Sequence, residues 1–352
     1  MIDYKKYLDR FGFPLKKTPN HNIKHFFEKR VFLFSSFKRK FDICLKLPSF
    51  DIIEYYYEDN MFGKYYLDKI RTINFFNLFN LSINFKLFSI INFYLFKKKI
   101  INLKKDEICF FGPYSSNYTH AINEYFLRLI YLSEKKIYKK IWLPSNLKKY
   151  LKSYTYKKTF SDLTLKFYPS DENLIFKNCN YLSHPNNRWL IRKNNKLVSK
   201  EFKKLSNIFR KKIFKNHKKT NNDEYKFILV SRDRALKRKL LNENELFTKL
   251  KKYKFKLVFF ENLSFENQIN IARNCKIMIG YHGAGLSNLF FMRPKTLLIE
   301  IFNENYNQES LKLFSKSLNI NYKGFKCKDN YSNLNGLCDV EEILNYIKVK
   351  LS

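Results

Sequence analysis

From residue 107 onward the apolar positions fall into a repeating rhythm. "EICFFGP", beginning at Glu107, reads as a strand, and "THAINEYFLRLIYLSEKK", 119–136, sets Ile122, Tyr125, Phe126, Leu129 and Leu132 on one face of a helix. "KKIWLPSN" is a strand closed by Pro-Ser-Asn, followed by a basic helix beginning "LKKYLKSY". Strand-like runs occupy about 162–182, and "KEFKKLSNIFRKKIF" is an amphipathic basic helix. The polar stretch "KNHKKTNNDE", 215–224, has no apolar period and reads as a linker. Beyond it, "YKFILVS" leads to a helix near 243–252, opened by Asn242-x-x-Glu245 at capping-box spacing. "FKLVFFE" leads to "SFENQINIARN", with Ser264 as the candidate cap, and "CKIMIGY" to a helix after Gly285. "TLLIEIF" leads to a helix near 307–318, and "DVEEILNYIKVKL" forms one more.

Four strand–helix pairs with short connections predict a parallel sheet covered on both faces, a Rossmann-like domain. The expected organisation is an N-terminal domain over 1–215, a second over 225–335, and a C-terminal helix over 336–352. Residues 1–100 alternate aromatic-rich and basic segments without a clear element pattern. The longest apolar tract, 73–96, is interrupted by Asn74, Asn77, Asn80, Asn84, Asn92 and Lys86, so core strands or an interfacial segment fit it better than a membrane span.

Composition adds two constraints. Hydrophobic residues make up 45% and aromatics 18%, which excludes a disordered chain. Lys and Arg number 68 against 31 acidic residues, a formal +37. Such a field attracts nucleic acid, an anionic membrane leaflet or phosphorylated ligands. The excess is mostly lysine, in a chain also rich in Asn, Ile, Phe and Tyr, residues with A/T-rich codons. Base composition therefore accounts for part of the charge. The six cysteines are scattered without a CxxC pair, which excludes a zinc finger and a disulfide framework and points to a reducing compartment. Cys109 and Cys275 lie in apolar runs as buried thiols. "MIDYKKYLDRFGFPLKK" lacks the apolar core of a signal peptide.

The chain has 8 glycines, and Gly280, Gly283 and Gly285 surround His282 in "GYHGAG". This turn follows a strand and opens a helix, where ligands of parallel sheets bind. Glycines admit a ligand close to the backbone, and a helix N-terminus favours an anion. A phosphate or diphosphate suits that chemistry; a plain tight turn is the alternative. The spacing is not GxGxxG, so it does not support a dinucleotide fingerprint. "FILVS" runs into Arg232, Arg234 and Arg238, and "LLIE" ends at Glu300, whose carboxylate can accept a ribose hydroxyl pair or serve as a helix cap. Together these strand ends describe a nucleotide site better than any one of them does.

"SRDRALKRKLLNENEL" followed by "ENLSFENQINIARNCKIMIGYHGAGLSNLFFMRPKTLLIEIF" resembles the donor-binding half of glycosyltransferase family 61, densely over 228–302, with "NYTHAINEYFLRL" at 117–129 as a weaker upstream match. The resemblance implies an α/β, GT-B-like fold of two Rossmann-like domains facing each other across a cleft. It also implies inverting transfer from a nucleotide-diphosphate sugar, often a UDP-sugar. Arg232 and Arg238 would meet the diphosphate, with Asn242 and Glu243 nearby, although the capping box already accounts for Asn242. His282, Gly283, Ala284 and Gly285 would form the phosphate turn, Asn288 would lie on the helix behind it, and Glu300 would face the ribose or sugar.

His120, Glu124 and Arg128 are spaced i, i+4, i+8, a polar stripe from which Glu124 or His120 would act as the catalytic base. An ordinary exposed stripe with a Glu124–Arg128 pair worth ~0.3 kcal/mol is the competing reading. Family members in bacteria assemble capsule and surface polysaccharides. The expectation is thus a cytoplasmic enzyme, held peripherally on the inner face of the membrane, acting on a glycan or lipid-linked glycan acceptor without an obligatory cofactor or metal. Two other classes compete: a basic nucleic-acid-binding protein, for which no recognition motif is present, and a Rossmann oxidoreductase, against which the glycine spacing argues.

Overall fold

The computed structural model describes residues 38–47, 52–56, 62–64, 99–110, 115–136, 140–169, 174–182, 200–217, 223–304, 309–327 and 334–351. Two compact units emerge: Met1–Lys149 with Ser161–Pro185, and Tyr150–Phe160 with Asn186–Ser352. The apolar tract 73–96 and the middle of the expected linker, 218–222, lie outside the described residues. Among the described residues no helix is long and apolar enough to cross a membrane.

The first unit holds two sheets. Strands β1 (Lys38–Leu47), β2 (Ile52–Tyr56), β3 (Phe62–Lys64), β4 (Lys99–Asn102) and β8 (Leu174–Leu182) form one, in the order β3-β2-β1-β8-β4. All its pairings are antiparallel except β4 with β8. The other sheet is parallel and has three strands, β5 (Glu107–Cys109), β6 (Lys140–Pro144) and β7 (Thr164–Tyr168), with Trp142 opposite both Cys109 and Lys166. Among the described residues of this unit only the small sheet has the Rossmann-like pattern that the family resemblance implies for the domain; the mixed sheet departs from it.

A continuous helix over 118–135 links β5 to β6. Asn117 opens it, its side chain accepting from the Thr119 amide at 3.0 Å, and Lys136 closes it with φ 50°. Its predicted apolar face is buried, with Ile122, Tyr125, Phe126 and Leu129 at 0% exposure. The opposite stripe differs from expectation. Residues Ala121–Phe126 form a π-helical turn, which breaks the 3.6-residue period on which an i, i+4, i+8 alignment depends. His120 is buried and Arg128 wholly so, its guanidinium over the Phe110 ring at 4.3 Å and the Tyr125 ring at 5.0 Å. His120 and Arg128 are therefore part of the interior rather than of a solvated face.

The second unit carries a five-stranded parallel sheet of β9 (Phe227–Val230), β10 (Lys256–Val258), β11 (Ile277–Tyr281), β12 (Leu297–Asn303) and β13 (Asn321–Cys327), ordered β10-β9-β11-β12-β13. The sequence predicts four of these strands. The fifth lacks an apolar run: "NYKGFKC" buries only Phe325 and Cys327. Strand order reverses between β9 and β11, the switch point where doubly wound sheets bind ligands beyond their carboxyl ends. Leu229, Ile279, Ile299 and Ile301 join Leu246, Ile343 and Ile347 in one core. The helix Val340–Leu351 is therefore built into this unit rather than appended to it.

The helix Lys200–Asn216 also belongs here, correcting the expected boundary at 215. Phe202 stacks on Phe314 at 5.2 Å, and buried Arg210 donates to the carbonyls of Leu318 at 3.1 Å and Met292 at 3.3 Å. Burial lowers the Arg210 pKa, so its charge is held at a cost that these carbonyls offset. Arg210→Ala leaves buried acceptors unpaired and is expected to lower the unfolding free energy by about 2 kcal/mol, read by urea denaturation. A helix from Tyr154–Thr159 completes the unit, with the Tyr156 ring stacked on Phe209 at 6.3 Å. The Thr155 amide donates to Glu266 at 2.8 Å, and Glu266 also contacts His217 at 3.1 Å. Among the described residues Cys109, Cys275, Cys327 and Cys338 are buried free thiols.

Candidate functional site

The carboxyl ends of β9, β11 and β12 bring together most of the predicted donor-side residues. At the end of β9, buried Glu243 accepts from the Ser231 hydroxyl and, at 3.2 Å, from the Arg232 amide. Asp233 N donates to Ser231 Oγ at 3.1 Å, so one carboxylate organises the exit of this strand. Burial raises the Glu243 carboxyl pKa, and the two donors only partly offset that. A carboxyl raised by folding binds its proton more readily in the native state, so native stability rises as pH falls through its titration. Measured against Glu243→Gln, wild-type stability is expected to gain as pH falls from neutral toward the ordinary carboxylate range; parallel profiles would show that the carboxylate carries no such penalty.

Arg232 folds back on its own loop. Its Nε donates to the Arg238 carbonyl at 3.0 Å and its Nη2 to the Lys237 carbonyl at 3.1 Å. Arg238 presents that carbonyl from a left-handed backbone, φ 61°, a conformation costing a non-glycine residue about 1 kcal/mol. The Arg232 guanidinium thereby lies against Gly283, where an added Cβ would sit 1.8 Å from Nη1. Arg234 turns elsewhere, donating to Asn262 at 3.0 Å.

The turn itself is braced from three sides. The His282 amide donates to the Ile301 carbonyl at 2.7 Å. Gly280 and Gly285 lie against β9, with added Cβ atoms 2.9 Å from the Val230 carbonyl oxygen and the Val230 Cγ1 respectively. A 3₁₀ helix, Ala284–Phe291, follows, and fully buried Asn288 donates to the Gly285 carbonyl at 3.0 Å and to Gln268 Oε1 at 3.3 Å. Gln268 is held by the carbonyls of Phe260 at 2.9 Å and Leu263 at 3.1 Å. Asn288 thus supports the turn from behind.

His282 and Glu300 pair directly through Nδ1 and Oε1, with Glu300 1% exposed. The second carboxylate oxygen accepts from the Tyr322 hydroxyl at 2.6 Å. Glu300 therefore points at two protein donors here, where the family pattern has it facing a ribose or sugar. Burial and the Glu300 charge push the Tyr322 phenol far above its ordinary pKa, keeping it a donor across the neutral range. Sequence reasoning missed Tyr322; it lies on the unpredicted strand β13, and nothing in its local pattern marks it. The predicted capping box is not formed. Asn242 makes no cap; its side chain donates to the Cys338 carbonyl at 3.0 Å and accepts from the Cys338 amide at 3.1 Å. That paired grip fixes the final helix, so Asn242 acts on packing.

In the first unit, buried His120 lies where the helix passes into its π turn, a distortion frequent at functional sites. The Glu124 side chain lies outside the described residues.

The geometry gathers a buried imidazole oriented by a carboxylate, a guanidinium laid over a glycine, and a strand-to-helix turn. These are the means by which a protein holds an anionic phosphate group. A family model described as Glycosyltransferase 61 matches residues 118–299. An EGF domain-specific O-linked N-acetylglucosamine transferase of Drosophila melanogaster is 44% identical over 69 residues, 19% of this chain and 13% of that protein. The Gallus gallus protein of the same name is 38% identical over 76 residues, again 19% of this chain and 13% of its own length. A beta-1,2-xylosyltransferase of Oryza sativa subsp. japonica is 25% identical over 118 residues, 31% of this chain and 22% of that protein. The match thus spans under a quarter of the length of each of these relatives.

Proposed function

The chain belongs to the glycosyltransferase 61 family, and from that membership we propose that it is an inverting glycosyltransferase with a nucleotide-diphosphate sugar, a UDP-sugar first among candidates, as donor. The acceptor is a hydroxyl of a cell-surface glycan, free or lipid-linked, and the two units form the donor and acceptor sides of a GT-B enzyme. One observation carries the reading: the Arg232 guanidinium rests on Gly283 at the switch point of the parallel sheet. Positive charge and backbone amides there favour a diphosphate, both bound and as the leaving group. The acceptor oxygen attacks the anomeric carbon, the bond to the diphosphate oxygen breaks, and the hydroxyl proton passes to a base, for which Glu124 and His120 are the candidates.

Arg232, Arg238 and His282 would answer the diphosphate charge without an obligatory metal; activity abolished by chelator would overturn that. The formal +37 would hold the enzyme on an anionic inner leaflet, and equal flotation with neutral and anionic liposomes would count against it.

The deciding experiment is thermal stabilisation of the protein by UDP, GDP, CMP, NAD and a short DNA duplex, with His282→Ala and Arg238→Ala alongside. One nucleoside diphosphate at a hundred times its Kd is expected to add about 2.7 kcal/mol, a Tm rise of roughly 5–10 °C, lost in both variants. Stabilisation by DNA or NAD alone, indifferent to both substitutions, would refute the assignment.

A further inference from the structure

The first unit contains a pocket that the donor chemistry does not use. It has a volume of about 410 Å³, within the roughly 300–1,000 Å³ of small-molecule sites. Trp142 from β6, and Phe167, Tyr168 and Pro169 from the end of β7, line it with Lys148 and Lys166. It therefore borders the carboxyl end of a parallel sheet, the edge where such sheets take ligands.

Its walls are prepared. The Trp142 indole N–H donates to Glu107 Oε2 at 3.1 Å, and Glu107, 4% exposed, is neutralised by Lys140 at 3.4 Å. This fixes the ring's plane and spends the nearby negative charge on Lys140. The Tyr168 hydroxyl is held by the Phe110 carbonyl at 2.9 Å, so the tyrosine is fixed wall. Trp142 and Phe167 are both half-buried, Trp142 on the sheet face it shares with Lys166 and Phe167 on the other face of the same edge strand, β7. Two exposed ammonium groups hang over these same rings: Lys166 is 5.5 Å from the Trp142 centroid and Lys148 is 5.4 Å from that of Phe167. Among the described residues none that lines the pocket is acidic, and two, Lys148 and Lys166, are cationic.

We propose that this pocket binds an anionic saccharide that wraps the β7 edge, with the C–H face of one pyranose stacked on Trp142, that of another on Phe167, and carboxylate or phosphate substituents paired to Lys148 and Lys166. The inference rests on the glycosyltransferase reading, under which the protein must hold a sugar acceptor as well as a nucleotide. Aromatic faces with lysines also suit single-stranded nucleic acid, so the test separates the two.

Isothermal titration of the full chain with hyaluronan tetrasaccharide, cellotetraose and hexathymidylate is the experiment. The anionic sugar should bind at least tenfold more tightly than the neutral one, and a Lys148→Ala/Lys166→Ala double variant should lose at least tenfold for it. Both lysines are exposed, so the double variant should melt as wild type does, and its stabilisation by nucleotide should be unchanged. Binding of the anionic sugar that survives the double variant, tighter binding of hexathymidylate, or no binding of any probe would overturn the proposal. Nucleotide stabilisation alongside any of these would leave the donor assignment standing. Sugar binding without any nucleotide effect would sustain the pocket and refute the donor site.

Discussion

Glu300→Ala is expected to lower the unfolding free energy by about 3 kcal/mol. The carboxylate is 1% exposed and holds two donors, His282 Nδ1 and the Tyr322 hydroxyl. Its removal leaves the buried His282 Nδ1 and the Tyr322 hydroxyl without the carboxylate that pairs with both. Tyr322→Phe deletes one of these bonds and should cost about 1 kcal/mol. Urea denaturation at one pH orders the variants: wild type, Tyr322→Phe, Glu300→Ala. If Glu300→Ala and wild type unfold at the same urea concentration, the carboxylate is not the keystone of this strand end. The consequence for binding is separate. With Nδ1 no longer held, the His282 ring can turn, so nucleotide affinity should fall in Glu300→Ala even under conditions where the variant is fully folded.

The second large effect concerns affinity rather than stability. Arg232→Ala is expected to weaken nucleoside diphosphate binding by ten- to a hundredfold, the worth of one or two charge-assisted hydrogen bonds. Gly283→Ala should do nearly as much by a different route. Its methyl group would stand 1.8 Å from Arg232 Nη1, so the guanidinium must leave the turn. Backbone strain is not the cause, since Gly283 has extended φ and ψ of 177° and 179°. Because both substitutions remove the same guanidinium from the same place, their effects should not add, and the double variant should bind no worse than Arg232→Ala. Calorimetric titration of the three variants tests this. Additive losses would mean that the Gly283 backbone and Arg232 meet the ligand independently.

How much of this was legible beforehand follows from what periodicity can report. Apolar runs located four strands of the second unit, and Ser264 caps its helix as read, accepting from the Asn267 amide at 3.3 Å. The glycines around His282 and the arginines after β9 were recognisable because they stand at the ends of apolar strands; Glu300 was read as the end of its strand, but β12 runs on to Asn303 and places the carboxylate mid-strand. What remained hidden depends on partners distant in the chain. Strand β13 is an edge whose alternation is mostly polar, so it carries no apolar run. Asn242 stands at capping spacing but finds the Cys338 backbone, 96 residues away. The 118–135 helix reads as α-helical throughout, yet its π turn sets a different phase, and Arg128 is buried against aromatic rings that spacing could not supply. Tyr322 reaches Glu300 only because β12 and β13 lie side by side.

The exchange of chain between the units bears on how the protein can be made. Tyr150–Phe160 is contributed to the second unit before the chain returns to the first at Ser161–Pro185. On the ribosome this segment emerges ahead of every surface it will pack on, so the second unit cannot close until its later strands have been synthesised. A fragment cut to begin at Asn186 would bare the rings of Phe209 and Phe265, which Tyr156 covers at 6.3 and 5.9 Å. Recombinant pieces should aggregate unless they carry 150–160, and adding that stretch in trans as a peptide should rescue their solubility.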